Sequence, residues 1–282
     1  MSFVHQDRPA YGLVQDDHVV VLSAVLGERA PDLKALIAAG LLPQAAALAQ
    51  TAGAPRVPLV GLTLLPVIPN PGQIFCIGLN YAEHVRETGR EVTETPVVFM
   101  RVPASQVAHG QDIMRPPESV RLDFEAEIAV IIGKGGRRIR EADAWDHIAG
   151  YSCYNDGSVR DWQRHTTQFT PGKNFVGTGA FGPVLVTRGE IADGEELSLT
   201  TRLNGQVMQH ATTAMMIFPI PRLIEYVSTF TPLMPGDVIV SGTPGGVGSR
   251  RQPPLWMKEG DWVEIEVSKI GVLRNRVEKE TL

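Results

Sequence analysis

Leu122–Gln163 reads LDFEAEIAVIIGKGGRRIREADAWDHIAGYSCYNDGSVRDWQ, and its reading decides the fold. In an extended strand successive side chains alternate faces, so Glu125 and Glu127 point the same way, with Asp123 beside them. Their face continues as Ala129 and Ile131, while Phe124, Ile128, Val130 and Ile132 make the other face apolar as well. A strand apolar on both faces is buried. Carboxylates at the mouth of a buried strand must be neutralised. Protonation would require raised pKa values, whereas a hard divalent cation would keep them charged.

A second apolar run, Ile148 to Asn155, leads into Asp156 and Gly157. Ser158 and Asp161 have capping-box spacing, which predicts a helix start directly after Asp156. A helix N-terminus offers free backbone N–H groups to a nearby anion. On that helix Arg160 and Gln163, three apart, share a face.

Composition sets outer bounds. With 282 residues, 43% hydrophobic and 20% charged, the chain can bury a large core. A net charge of -5 without basic blocks argues against a nucleic-acid partner. Cys76 and Cys153 lie in apolar runs and read as buried thiols; neither belongs to a C-x-x-C or Cys/His cluster that would bind zinc. The start, MSFVHQDRPAYG, lacks an apolar signal core, and no apolar stretch reaches spanning length. The expected compartment is the cytoplasm, with no membrane partner.

Residues 1–70 read as a small leading domain, with a hairpin around Gln15–Asp17 and helical spacing from Asp32. The proline-rich Pro66–Gly72 segment marks a boundary, and residues 71–282 form the second domain. There Ile74–Gly78 reads as a strand, followed by a short helix that Gly89 ends. On that helix His84 and Glu87 lie three apart, so the carboxylate could orient the imidazole as a base. Val107 to Pro117 reads as a loop, and Asn204–Gly205 as a hairpin turn. Glu264 and Glu266 form a second E-x-E on a half-exposed alternating strand and carry no chemistry. Many short strands with few long helices predict a β-rich α+β fold.

DFEAEIAVIIG, YNDGSVRDWQ, GKNF and PGDVIVSGTPGGVG, in that order, resemble the fumarylacetoacetate hydrolase family over roughly residues 70 to 277. The resemblance implies a mixed β-sandwich roll with a small N-terminal α/β domain, assembled as a homodimer. It implies Mg²⁺ or Mn²⁺ held by Glu125, Glu127 and Asp156, and a 2-oxo acid as small-molecule substrate. It makes His84 and Glu87 a water-activating dyad on a lid, and Lys173, with Gln163, an oxyanion partner. Arg160, Thr243 and Tyr81 become substrate-binding groups. Ala214 and Met215 stand where the family carries a serine or aspartate, which points to a less polar substrate contact. The expected reaction is metal-dependent hydrolysis of a C–C bond in a 2,4-dioxo acid such as an acylpyruvate or fumarylpyruvate. The alternatives are oxaloacetate decarboxylation or isomerisation of a 2-hydroxy-diene-dioate at the same site. A non-catalytic 2-oxo acid binding protein is the reading from another class, disfavoured because binding needs no base.

Overall fold

The computed structural model describes residues 1–281. Strands β1 (Ser2–His5), β2 (Arg8–Gln15), β3 (His18–Val21) and β4 (Arg56–Pro58) form an antiparallel sheet in that order. Asp16–Asp17 turns β2 into β3 as the spacing predicts. Helices α1 (Leu22–Leu26), α2 (Leu33–Ala38) and α3 (Ala45–Leu48) precede β4. Asp32 caps α2, its carboxylate accepting the Ala35 N–H at 2.7 Å.

Past Pro66–Gly72 come β5 (Ile74–Gly78), β6 (Val97–Arg101), β7 (Gln106–Val107), β8 (Ile113–Arg115), β9 (Leu122–Asp123) and β10 (Ala126–Ile132). They continue as β11 (Ile148–Asn155), β12 (Ser158–Val159), β13 (Gly179–Thr187), β14 (Ser198–Leu203) and β15 (Gln206–Thr212). The last three are β16 (Val238–Val240), β17 (Trp262–Val267) and β18 (Gly271–Lys279). Four further helices are α4 (Ala82–Thr88), α5 (Arg160–Gln163), α6 (Thr170–Lys173) and α7 (Ile220–Phe230). A seven-stranded mixed sheet has the order β6-β5-β16-β10-β11-β13-β7, and a five-stranded sheet the order β15-β14-β17-β18-β8. This is the β-rich α+β architecture that the pattern of short strands predicts.

Strand β10 is buried along its whole length, and its alternation divides two cores. Ile128, Val130 and Ile132 pack in a cluster with Leu199, Ile265 and Leu273 of the second sheet and with Leu223 and Val227 of α7. Ala129 and Ile131 join the other cluster, with Leu36 and Ile37 of α2 and Val20 of β3. The seven-stranded sheet is therefore covered on both faces, and the leading elements share apolar core with β5, β10 and β16. Each fully buried Ile or Val contributes about 1.5–3 kcal/mol relative to exposure, which pins the register of β10.

Two local expectations are corrected. Ser158 is not an N-cap: it lies in β12, paired with Asp123 of β9, and its hydroxyl donates to the Asp156 carbonyl at 2.9 Å. The Asp161 carboxylate instead accepts the Ser119 hydroxyl, and α5 starts at Arg160 without a side-chain cap. Residues Val107 to Pro117 are not all loop, since β7 pairs in parallel with β13 and β8 with β18. Such two- and three-residue strands owe their existence to distant partners and carry no periodicity of their own. Elsewhere Gly89 ends α4 in a left-handed conformation, φ 69°, and Asn204–Gly205 turns β14 into β15 at φ 51° and 79°. Cys76 and Cys153 are free and buried. Among the described residues no helix is long and apolar enough to cross a membrane.

Candidate active site

Antiparallel pairing brings the carboxylates together. The register sets Ala126 opposite Asn155, so Asp156 emerges beside Glu125 and its N–H donates to the Glu125 carbonyl at 2.9 Å. Glu125, Glu127 and Asp156 each offer an oxygen within 4.8 Å of the others, and all three are buried. Three carboxylates at that depth repel unless cations stand among them.

Three side chains supply part of that charge. Lys173, from α6, places Nζ 2.6 Å from both Glu125 Oε2 and Asp156 Oδ2. Arg160 pairs with Glu125 Oε1 at 2.7 Å and with Asp123 Oδ2 at 2.8 Å. Arg101, at the end of β6, is fully buried and sets Nη1 2.5 Å from Asp156 Oδ1. Its other donors reach the Gly157 carbonyl at 2.8 Å and the Thr178 hydroxyl at 2.9 Å. Burial works against ionisation of Glu125, but Arg160, Lys173 and His84 outweigh it and hold its pKa down to about 2. Burial also works against the Lys173 ammonium, and Asp156 and Glu125 keep its pKa above the usual lysine value.

Glu127 is the exception. Its carboxylate accepts the Gly242 N–H and no cationic side chain pairs with it among the described residues. Burial, then Asp156 and Glu125, push its pKa well above the carboxylate range, against Lys173 and the Gly242 N–H. Three all-oxygen donors with one carboxylate lacking a counter-charge fit a hard divalent cation such as Mg²⁺ or Mn²⁺.

Glu125 and Glu127 face an open hollow of about 300 Å³, within the range of small-molecule sites, while Asp156 is fully buried and outside its lining. His84, Arg160, Gln163, Lys173 and Thr243 line it with Glu125 and Glu127. His84 sits on α4 with Nδ1 2.7 Å from Glu87 Oε1, and the second Glu87 oxygen accepts the Gly246 N–H at 2.9 Å. That tie fixes the imidazole and docks α4 on the glycine-rich loop. Gln163 Oε1 accepts from Arg160 at 3.0 Å, as the shared face predicts. The Thr243 hydroxyl accepts the Gln209 amide at 2.9 Å.

Tyr81 falls outside the hollow's lining. Its ring is buried in the larger apolar cluster, its hydroxyl has no partner, and burial and then the nearby Glu127 carboxylate raise its pKa. Ala214 lines a separate cavity with Trp145 and Tyr151, so the departure there does not shape this hollow. Asp123, read as a neighbour of the pair, stands behind it, where its carboxylate accepts the Gly248 N–H at 2.8 Å and the Ser249 N–H at 2.9 Å. Arg101 and Gln209 escape a reading of the sequence. For Arg101 the signal is the single polar residue that ends the strand VVFMR; Gln209 is one of several polar residues in β15 and is told apart only by its burial.

Fold and site together define an enzyme of the fumarylacetoacetate hydrolase superfamily. The fumarylacetoacetate (FAA) hydrolase C-terminal family matches residues 73–278, and the chain belongs to it. Among curated relatives, a mitochondrial oxaloacetate tautomerase of Bos taurus is 41% identical over 225 residues, covering 79% of this chain and 72% of its own. The oxaloacetate tautomerase YisK of Bacillus subtilis is 43% identical over 215 residues, 74% of this chain and 71% of its own. Among solved structures, a putative HpcE protein from Mycobacterium smegmatis superposes with TM-score 0.88 at 33% identity, covering 99% of both chains. A probable 2-hydroxyhepta-2,4-diene-1,7-dioate isomerase from Mycobacterium abscessus does so with TM-score 0.81 at 34% identity, over 97% of this chain and 96% of its own.

Proposed function

We propose that this enzyme acts on 2-oxo acids by moving a proton at the carbon next to the 2-oxo group, with keto–enol interconversion of oxaloacetate as its reaction. The carrying observation is His84, an oriented imidazole on the same hollow as Glu125 and Glu127 of the buried carboxylate triad. The named activity of the relatives at about two-fifths identity supports the choice of substrate.

Glu125, Glu127 and Asp156 would hold Mg²⁺ or Mn²⁺, which supplies Lewis-acid polarisation of the 2-oxo group and acidifies the neighbouring C–H. Donation of Nδ1–H to Glu87 leaves the Nε2 lone pair of His84 free to take the C3 proton. The C3–H electrons become the C2–C3 double bond and a proton is delivered to the 2-oxygen, so the net change is one proton moved. Lys173 stabilises negative charge as it develops on that oxygen. Arg160, with Thr243, receives the carboxylate of the 2-oxo acid head.

A second reading, hydrolysis of an acylpyruvate C–C bond, is favoured by the same His84–Glu87 contact, because a base held by a carboxylate can equally take a proton from water. Loss of enol absorbance with oxaloacetate, and consumption of acetylpyruvate and fumarylpyruvate, should be measured with chelator, Mg²⁺ or Mn²⁺. Faster tautomerisation that chelator abolishes supports the first reading. Turnover confined to the acylpyruvates replaces it with hydrolysis, and turnover indifferent to chelator removes the cation from both. The homodimer belongs to this proposal too: light scattering should give twice the 30.7 kDa chain mass, and a single-chain mass rejects it.

A further inference from the structure

Deep in the hollow the cationic side chains pair with the acids there and serve the 2-oxo acid head. Arg160 is held by Asp123 and Glu125, and Lys173 by Glu125 and Asp156. The same lining carries three more guanidiniums, those of Arg90, Arg164 and Arg250. Glu125 and Glu127 are its only acidic side chains among the described residues, and both belong to the triad. None of the three arginines is in ion-pair contact with a carboxylate among the described residues.

Surface arginines usually spread out into solvent, because like charges brought together repel. Here the backbone gathers them. Asp123 is a staple: its carboxylate takes Arg160 Nε at 2.8 Å, the Gly248 N–H at 2.8 Å and the Ser249 N–H at 2.9 Å. Arg164 follows Arg160 by four residues at the end of α5, and Arg250 follows Ser249 directly. One buried acid therefore fixes both segments and sets Arg164 and Arg250 on one wall. Partial burial lowers the Arg164 pKa, and Arg250, Arg160 and Arg121 lower it further against Asp123 alone. Arg90, just past α4, lies over the Phe169 ring at 5.3 Å on the same hollow.

We propose that Arg164 and Arg250, aided by Arg90, form a subsite for a second carboxylate on the substrate. The enzyme then selects dianionic 2-oxo acids over those with a neutral tail. This rests on the 2-oxo acid reading above, in which the triad end takes the 2-oxo acid head. A guanidinium meets a carboxylate in a two-point contact that an alkyl tail cannot make, and the anion also relieves repulsion among the arginines.

The test is calorimetric binding to Mn²⁺-loaded protein of two stable probes of equal chain length, 2-oxoglutarate and 2-oxopentanoate. They differ only in a terminal carboxylate against a terminal methyl. The parent should bind 2-oxoglutarate about tenfold to a hundredfold more tightly, a preference that weakens as salt rises. Arg164→Met with Arg250→Met should lose most of that preference and leave 2-oxopentanoate binding unchanged. Both side chains are exposed, and circular dichroism confirms that the double variant folds. Equal binding of the two probes by the parent, or a preference that survives the double substitution, overturns the subsite and leaves the 2-oxo acid reading standing. If neither probe binds the parent, the 2-oxo acid reading fails and the subsite fails with it.

Discussion

Replacing Arg101 with methionine isolates the electrostatics of the triad from its chemistry. The Arg101 side chain is fully buried and is not among the residues that line the hollow. Its loss leaves the Asp156 carboxylate with Lys173 as its remaining charged partner, and strips donors from the Gly157 carbonyl and the Thr178 hydroxyl. Removing one partner of a buried ion pair costs about 3–5 kcal/mol, because the other charge stays buried. For a chain of this size about 2–4 °C of melting temperature accompanies each kcal/mol, so in chelator the midpoint should fall by about 6–20 °C. Arg101→Lys keeps the charge but not the fork, and should fall between parent and methionine variant. Added Mn²⁺ should recover more of the loss in the methionine variant than it raises the parent, since the ion replaces the missing charge. A melting midpoint within two or so degrees of the parent in chelator, roughly 1 kcal/mol, would refute the assignment of Arg101 as the partner on which buried Asp156 depends.

Three further outcomes follow from the geometry. His84→Ala should lower turnover by about 10²–10⁴-fold while the melting curve stays close to the parent; unchanged turnover takes His84 out of the mechanism. Glu127→Gln keeps an acceptor for the Gly242 N–H but removes one cation-binding charge, so Mn²⁺ affinity by calorimetry should drop; parental affinity shows that Glu127 is no ligand. Burial raises the Asp237 pKa, against the Met234 and Gln73 N–H groups. A raised acid favours the folded state below its unfolded pKa, near 3.9, and that contribution is lost as pH rises through the folded value. Stability of Asp237→Asn relative to the parent should therefore rise with pH across that window, and a flat difference by denaturant titration rejects the cause given.

Much of the site is local in origin and therefore readable. Glu125 and Glu127 share a face because strands alternate, and the apolar residues after them demand burial whatever the neighbours. His84 and Glu87 meet because a helix sets residues three apart side by side, and the observed contact is 2.7 Å. Gly89 and Asn204–Gly205 end their elements because a left-handed backbone suits those residues best.

Where the pattern misled, a distant partner had changed the outcome. Ser158 and Asp161 carry a capping box, but β9 claims the backbone of Ser158 and Ser119 claims the carboxylate of Asp161. By itself, then, the sequence determined the longer buried strands, the turns and the pairs of groups that lie within a turn or two of each other, since backbone geometry settles those. Only the tertiary structure decided that Arg101, 55 residues away in the chain, holds Asp156, and that Asp123 staples the segments bearing Arg164 and Arg250. Those contacts depend on sheet order and register, which are set by the summed burial of both cores, so the residues they join do not reveal their partners.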